Sequence, residues 1–244
     1  GCFFVKKIVS KIMAISSTAM MSFSVVPNMS VSAESTQNYA EALQKSLYFY
    51  ECQQAGPLPE WNRVEWRANS TMDDYVLGGW YDAGDHVKFG LTQAYTLSML
   101  GLSYYNFADG YIQTGQKIHI ENISEYFAEY LKKCTILDDN NNVIAFCYQV
   151  GDGELDHSVW TSPETQTGER PVLFATKENP CTDIVSNTAG ALALYSINFN
   201  DTQSLEYAKK LYEFAKSNDK EVATIGCEEY YPTTSYLDDL SWAS

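Results

Sequence analysis

Apolar residues along this 244-residue chain recur mostly with the period of an amphipathic helix, and the long alternating runs that mark half-buried strands are scarce. Tyr39, Leu43, Leu47 and Tyr50 form one stripe within residues 38–53, with Asn38 placed to cap the first turn. The same periodicity predicts helices over residues 93–107, 124–134, 183–199 and 204–217, and residues 238–244 read as the opening of another. Between them run long connections, residues 55–92, 138–181 and 218–237, rich in Gly, Pro, Trp and charge. Connections of that length in a compact domain either carry function or lack order. Trp61, Trp66, Trp80 and Trp160 all fall within them, and disordered linkers are poor in aromatics. The pattern predicts an all-α toroid whose ordered loops build a cleft on one face, with no internal repeat and no further domain boundary from residue 34 onward.

The first 33 residues read differently. Lys6, Lys7 and Lys11 precede an apolar stretch from Ile12 to Val26, and Val31, Ser32 and Ala33 supply small residues for cleavage, the layout of a secretion signal. A membrane anchor is the alternative, but this stretch, interrupted by serines and threonines, falls short of the roughly 20 apolar residues that span a bilayer. A secreted, extracellular product starting near Glu34 is therefore expected. The chain begins Gly1-Cys2-Phe3 and stops inside a helical pattern at Ser244, so a fragment is expected as well.

Composition narrows the partners. At 45% apolar and 19% charged the chain can bury a core. Sixteen Lys plus Arg against 31 Asp plus Glu, a net charge of −15, disfavours a phosphate-tracking nucleic-acid binder and an anionic membrane surface. A neutral substrate suits this surface better. Cys52, Cys134, Cys147, Cys181 and Cys227 follow Cys2 of the signal as an odd five with no close pair in sequence; no connectivity is assignable, and buried thiols are expected for most. C-x-x-C, H-E-x-x-H, G-x-S-x-G and phosphate-binding glycine loops do not occur.

Chemistry concentrates in Gly78-Gly79-Trp80-Tyr81-Asp82-Ala83-Gly84-Asp85-His86-Val87-Lys88-Phe89. Asp82 and Asp85, separated by Ala and Gly, can point into one space because small residues let the backbone bend. Such a pair can hold a water and take its proton, as glycoside hydrolysis requires beside a second carboxyl and aromatic faces for the sugar. The same spacing also serves turn capping or calcium binding, so spacing alone does not decide.

The flanking residues do point one way. The run GGWYDAGDHVKF closely resembles the hallmark segment of glycoside hydrolase family 9, the family of inverting endoglucanases. NYAEALQKSLYFYECQQAGPLPE upstream, QVGDGELDHSVWTSPE followed by GERP downstream, and YYPTTSYLDDLSWAS at the end are similar to further family segments. The resemblance implies an (α/α)6 barrel, of which residues 34–244 would be roughly the first half. It implies Asp85 as general base, Asp82 as the carboxylate that shares the nucleophilic water, and His157, Trp160, Tyr230 and Trp80 as substrate-binding residues. Thr234, Ser235, Asp238 and Asp239 resemble a stretch that supplies ligands to structural calcium, for which oxygen donors are suited; a plain helix N-terminus explains the two aspartates equally well. No organic cofactor is implied.

Three departures stand out. Residues 67–77 are shorter than usual for the family, Thr233 stands where many members carry tryptophan, and Asp239 replaces the commoner Glu. The family's general acid, a glutamate, belongs to a later part of the domain, and Glu154, Glu164 and Glu169 do not match it. The expected activity of the complete protein is thus endo-β-1,4-glucanase hydrolysis of cellulose-type glucans, with a monomer binding the polysaccharide and the 244-residue chain inactive alone. The alternatives are a non-catalytic glucan-binding or structural piece, and a helical-toroid glycosidase of other specificity, since fold does not fix function.

Overall fold

The computed structural model describes residues 37–217 and 221–244. The expected secretion signal, residues 1–33, lies outside them. From Tyr39 onward the chain forms a single compact unit. Helices α1 (Tyr39–Cys52), α2 (Gly90–Gln113), α3 (Lys117–Lys133), α5 (Thr182–Phe199) and α6 (Thr202–Ser217) carry the bulk of it. Short helices α4 (Gly153–His157) and α7 (Leu237–Trp242) and a 3-10 turn at Cys227–Glu229 complete the helical set. This is part of an all-α (α/α)6 barrel.

Helix α5 is the hub, packed against α2, α6 and α7. Fourteen of its 18 residues are buried, so its sequence is apolar or small nearly all round. It runs between Cys181 and Asn200, both with left-handed φ (44° and 55°); asparagine is among the residues that tolerate this turn at a helix end. Helix α6 keeps one wet face and buries Ala208, Leu211, Phe214 and Ala215 at helical spacing. The predicted end of α2 at Phe107 coincides with a kink (φ −132°, ψ 31°), beyond which the helix resumes to Gln113.

The connection 138–181, read from sequence as loop, holds strands. Strand β3 (Val143–Val150) pairs antiparallel with β1 (Lys88–Phe89) and β2 (Thr135–Leu137) along one edge and with β4 (Val172–Ala175) along the other. From Phe146 to Val150 every residue of β3 is buried, which removes the alternation that would announce a strand. Its register pairs Lys88 with Val150. The sheet thereby clamps the exit of the Asp82–Asp85 loop to the entrance of the loop bearing His157. Each loop is closed at its neck by a backbone hydrogen bond, Asp82 N–H to Val87 C=O (3.0 Å) and Gly151 N–H to Pro171 C=O (2.8 Å).

Among the described residues all five cysteines are thiols, four of them buried and Cys52 half-buried. Cys134, distant from Cys147 in sequence, faces it across the β2–β3 ladder, its carbonyl accepting the Cys147 N–H at 2.8 Å.

Candidate active site

Asp85 sits at the tip of the loop before β1. Its Oδ1 accepts the Ala83 N–H at 3.0 Å, and its Oδ2 lies 3.6 Å from His157 Nε2. Burial raises its pKa; the Ala83 N–H opposes this, and the negative charge of Asp82 adds to it. A carboxylate with raised proton affinity is suited to take a proton from water.

Asp82 is held from two sides. Thr92 Oγ1–H donates to its Oδ1 at 2.8 Å, and the Tyr231 hydroxyl donates to its Oδ2. Burial and this hydrogen bond to Asp82 drive the Tyr231 phenol far up, so it stays a donor. Sequence reading had no signal for either partner, because α2 supplies Thr92 and a segment about 150 positions away supplies Tyr231.

The expected substrate-binding residues divide. A concavity of about 310 Å³ is lined by Gly84, Asp85, His86, Asp156, His157 and Trp160, among others. Trp160 is 96% exposed, an aromatic face without an intramolecular use. Tyr230 meets the His157 ring edge-on, centroids 5.4 Å apart. Its hydroxyl lies over Gly153, where an added Cβ would come within 2.0 Å; glycine is required there to seat the ring.

Trp80 needs correction. It is 3% exposed, stacked on Phe127 at a centroid distance of 3.4 Å, with its indole N–H donating to the Tyr50 carbonyl at 2.6 Å. The Gln93 side chain also bridges the Trp80 backbone N–H and C=O. Trp80 is a core residue that anchors the base loop to α1, α2 and α3, and its ring has no free face for sugar. Gly79, φ +80°, lets the backbone pass over the Tyr130 ring on the way to it.

The residues expected to ligate a cation lie apart, at the start of α7. Ser235 Oγ accepts the Leu237 N–H at 3.1 Å, Thr234 is exposed, and Asp239 Oδ1 accepts Asn187 Nδ2–H at 3.1 Å. Burial and then the charge of Asp238 push the Asp239 carboxyl up to about 6. Nearby on α5, Asp183 is buried, with Oδ1 accepting the Ala223 N–H and Oδ2 lacking any partner; Asn187 Oδ1 is also unpaired. Among the described residues no three acidic, imidazole or thiol groups converge on one metal position. Two adjacent carboxylates with hydroxyl and amide oxygens nevertheless form a donor set suited to a hard cation.

Of the acids weighed in the sequence, Glu164 is disqualified as a proton donor. Burial raises its pKa, but the hydrogen bond from Arg67 at 2.6 Å and further N–H donors prevail and hold it below the usual value.

Known proteins are similar to this chain in sequence and in fold. The model of Glycosyl hydrolase family 9 matches residues 39–244. Endoglucanase 4 of Bacillus sp. (strain KSM-522) is 36% identical over 223 residues, 85% of this chain and 34% of that protein. Endoglucanase 5 of Oryza sativa subsp. japonica is 35% identical over 230 residues, 87% of this chain and 42% of that protein. Among solved structures, the catalytic domain of Clostridium thermocellum CelT superposes with a TM-score of 0.81 at 40% identity, over 85% of this chain and 50% of that one. Endoglucanase CelQ from Clostridium thermocellum, complexed with cellotetraose, gives 0.76 at 44% identity, over 84% of this chain and 33% of that one. The chain thus spans a third to a half of these relatives. With the family model matched from α1 to Ser244, the chain belongs to glycosyl hydrolase family 9.

Proposed function

We propose that the complete protein carrying this chain is an inverting endo-β-1,4-glucanase acting on cellulose-type glucans. The observation that carries the reading is Asp85 on a concavity that also presents His157 and an exposed Trp160, with Asp82 three residues before it on the same loop. Asp85 takes a proton from a water positioned with Asp82, and that water attacks the anomeric carbon on the face opposite the departing oxygen. The acid that protonates this oxygen comes from a later part of the domain. The named complexes of CelQ with cellotetraose, cellotriose and cellobiose support a β-1,4-glucan as substrate. Export through residues 1–33 and action as an extracellular monomer belong to the same proposal.

Trp160 supplies a stacking platform. Trp160→Ala is expected to weaken cellotetraose binding by about 3- to 10-fold while leaving the thermal midpoint within error, because the ring makes no core contact. Calorimetric titration of the complete protein checks this. Unchanged affinity would remove Trp160 from the substrate path.

We further propose structural calcium held by Asp238 and Asp239 with Thr234 and Ser235 oxygens. When bound, calcium would neutralise the acid pair and tie α7 to the end of the preceding loop. Without the ion, an Asp239 pKa raised to about 6 means that the folded state binds the extra proton more tightly than the unfolded chain. Stability is then fully present below the unfolded value near 3.8 and is lost as pH rises through about 6. Chelator-treated protein should melt lower at pH 7 than at pH 5, and added Ca²⁺ should raise the pH 7 midpoint far more than the pH 5 one. A calcium response of equal size in Asp239→Asn would dismiss the site.

A further inference from the structure

Both backbone groups of His86, the residue after the proposed base, are held by side chains of the 151–171 loop. The His86 N–H donates to Asp156 Oδ1 at 2.9 Å; the His86 carbonyl accepts from Arg170 Nη2 at 2.9 Å. Asp156 is itself braced. Its Oδ2 accepts Gln166 Nε2–H at 2.8 Å and lies 3.8 Å from Arg170 Nη1. Arg170 in turn forks onto the fully buried Asp74, and Asp74 pairs with the buried Lys88 ammonium at 2.7 Å. Asp156 occupies helix α4 directly before His157, whose Nε2 faces Asp85. The clamp therefore fixes the base loop and the histidine segment to each other through one carboxylate.

We infer that Asp156, with Arg170, is a positioning residue that sets Asp85 against the substrate cleft by gripping the backbone on both sides of His86. The inference rests on the glucanase reading for its catalytic consequence, but its structural content does not. An exposed turn at Ala83 and Gly84 has little packing of its own to fix a carboxylate, and charge-assisted hydrogen bonds to the two peptide units that flank His86 supply that rigidity. Asp156 also faces Asp85 electrostatically. The charged or titratable groups around Asp85 are Asp82 on its own loop, Asp156 and His157 on α4, and Tyr230 and Tyr231 after the 3-10 turn.

The test uses the complete catalytic domain with Asp156→Ala and Asp156→Asn. In the alanine variant, deuterium uptake of residues 82–88 should accelerate about tenfold through local opening. Its kcat on cellotetraose should fall about 10- to 100-fold, the cost of a misplaced group, with KM changed less than about threefold. The asparagine variant keeps an acceptor for the His86 N–H. It should regain most of the exchange protection and of kcat, and the acid limb of its pH profile should move to lower pH because a negative charge near Asp85 is gone. Unchanged uptake in the alanine variant would overturn the clamp. So would an asparagine variant as slow as alanine with an unmoved acid limb, and this comparison decides the matter if the alanine variant does not fold. A wild-type protein that hydrolyses no glucan would fail the glucanase reading alone, and deuterium uptake would still decide the clamp.

Discussion

Asp85→Ala in the complete catalytic domain should nearly abolish hydrolysis of carboxymethylcellulose, with kcat down by about 10²- to 10⁴-fold, the usual contribution of a general base. Folding should survive, because the carboxylate's hydrogen bonds are to N–H groups of its own loop and it otherwise lines the cleft. The wild-type pH profile carries a second signature. The base works only when ionised, so kcat/KM falls as pH drops through the Asp85 pKa, which burial raises above the ordinary value of 3.8. Asp82→Asn removes one of the charges that raise it, and its acid limb should therefore lie lower than the wild type's. Near-wild-type turnover by Asp85→Ala would remove Asp85 from the chemistry altogether.

The largest effect on stability should come from Lys88→Met, which retains most of the side chain's volume and deletes its ammonium. That group is fully buried and donates to the carbonyls of Val76 (2.7 Å) and Gly78 (2.9 Å) while pairing with Asp74. Burial lowers the Lys88 pKa, and Asp74 counters it. Removing the ammonium strands two carbonyls and leaves Asp74 to Arg170 alone. Breaking a buried pair in this way costs about 3–5 kcal/mol, read as a shift in the urea midpoint. Lys45→Met, which breaks an exposed pair with Glu41, is the control and should cost under about 0.5 kcal/mol. A Lys88→Met cost within about 1 kcal/mol of that control, the scale of a surface pair, would show that the network beneath the base loop is not what holds it.

What the sequence disclosed follows from where periodicity survives. Helices α5 and α6 were legible because each presents an uninterrupted apolar pattern against neighbours. Periodicity predicts the start of α3 at Ser124, whereas the helix begins at Lys117: its first turns bury Ile120 and Ile123 among charged residues, a stripe too thin to stand out. Strand β3 gives no strand signal in the sequence because its buried half does not alternate and two of its three partners, β1 and β4, lie far away in the chain. The core position of Trp80 is hidden in the sequence for a related reason. Its loop crosses three helices, and no local pattern distinguishes an aromatic that faces a cleft from one that faces Phe127. Asp85 and Asp82 were legible as a motif, but Thr92, Tyr231, Asp156 and Arg170 were not, because each acts through contacts that only the folded chain creates.

The central claim is hydrolysis with inversion by a water that Asp85 activates, and the anomeric form of the first product tests it most directly. Proton NMR spectra taken during the first minutes of cellopentaose cleavage by the complete protein should show the α-anomer accumulating ahead of mutarotation. First appearance of the β-anomer would mean retention, and with it a carboxylate that attacks the sugar rather than one that deprotonates water.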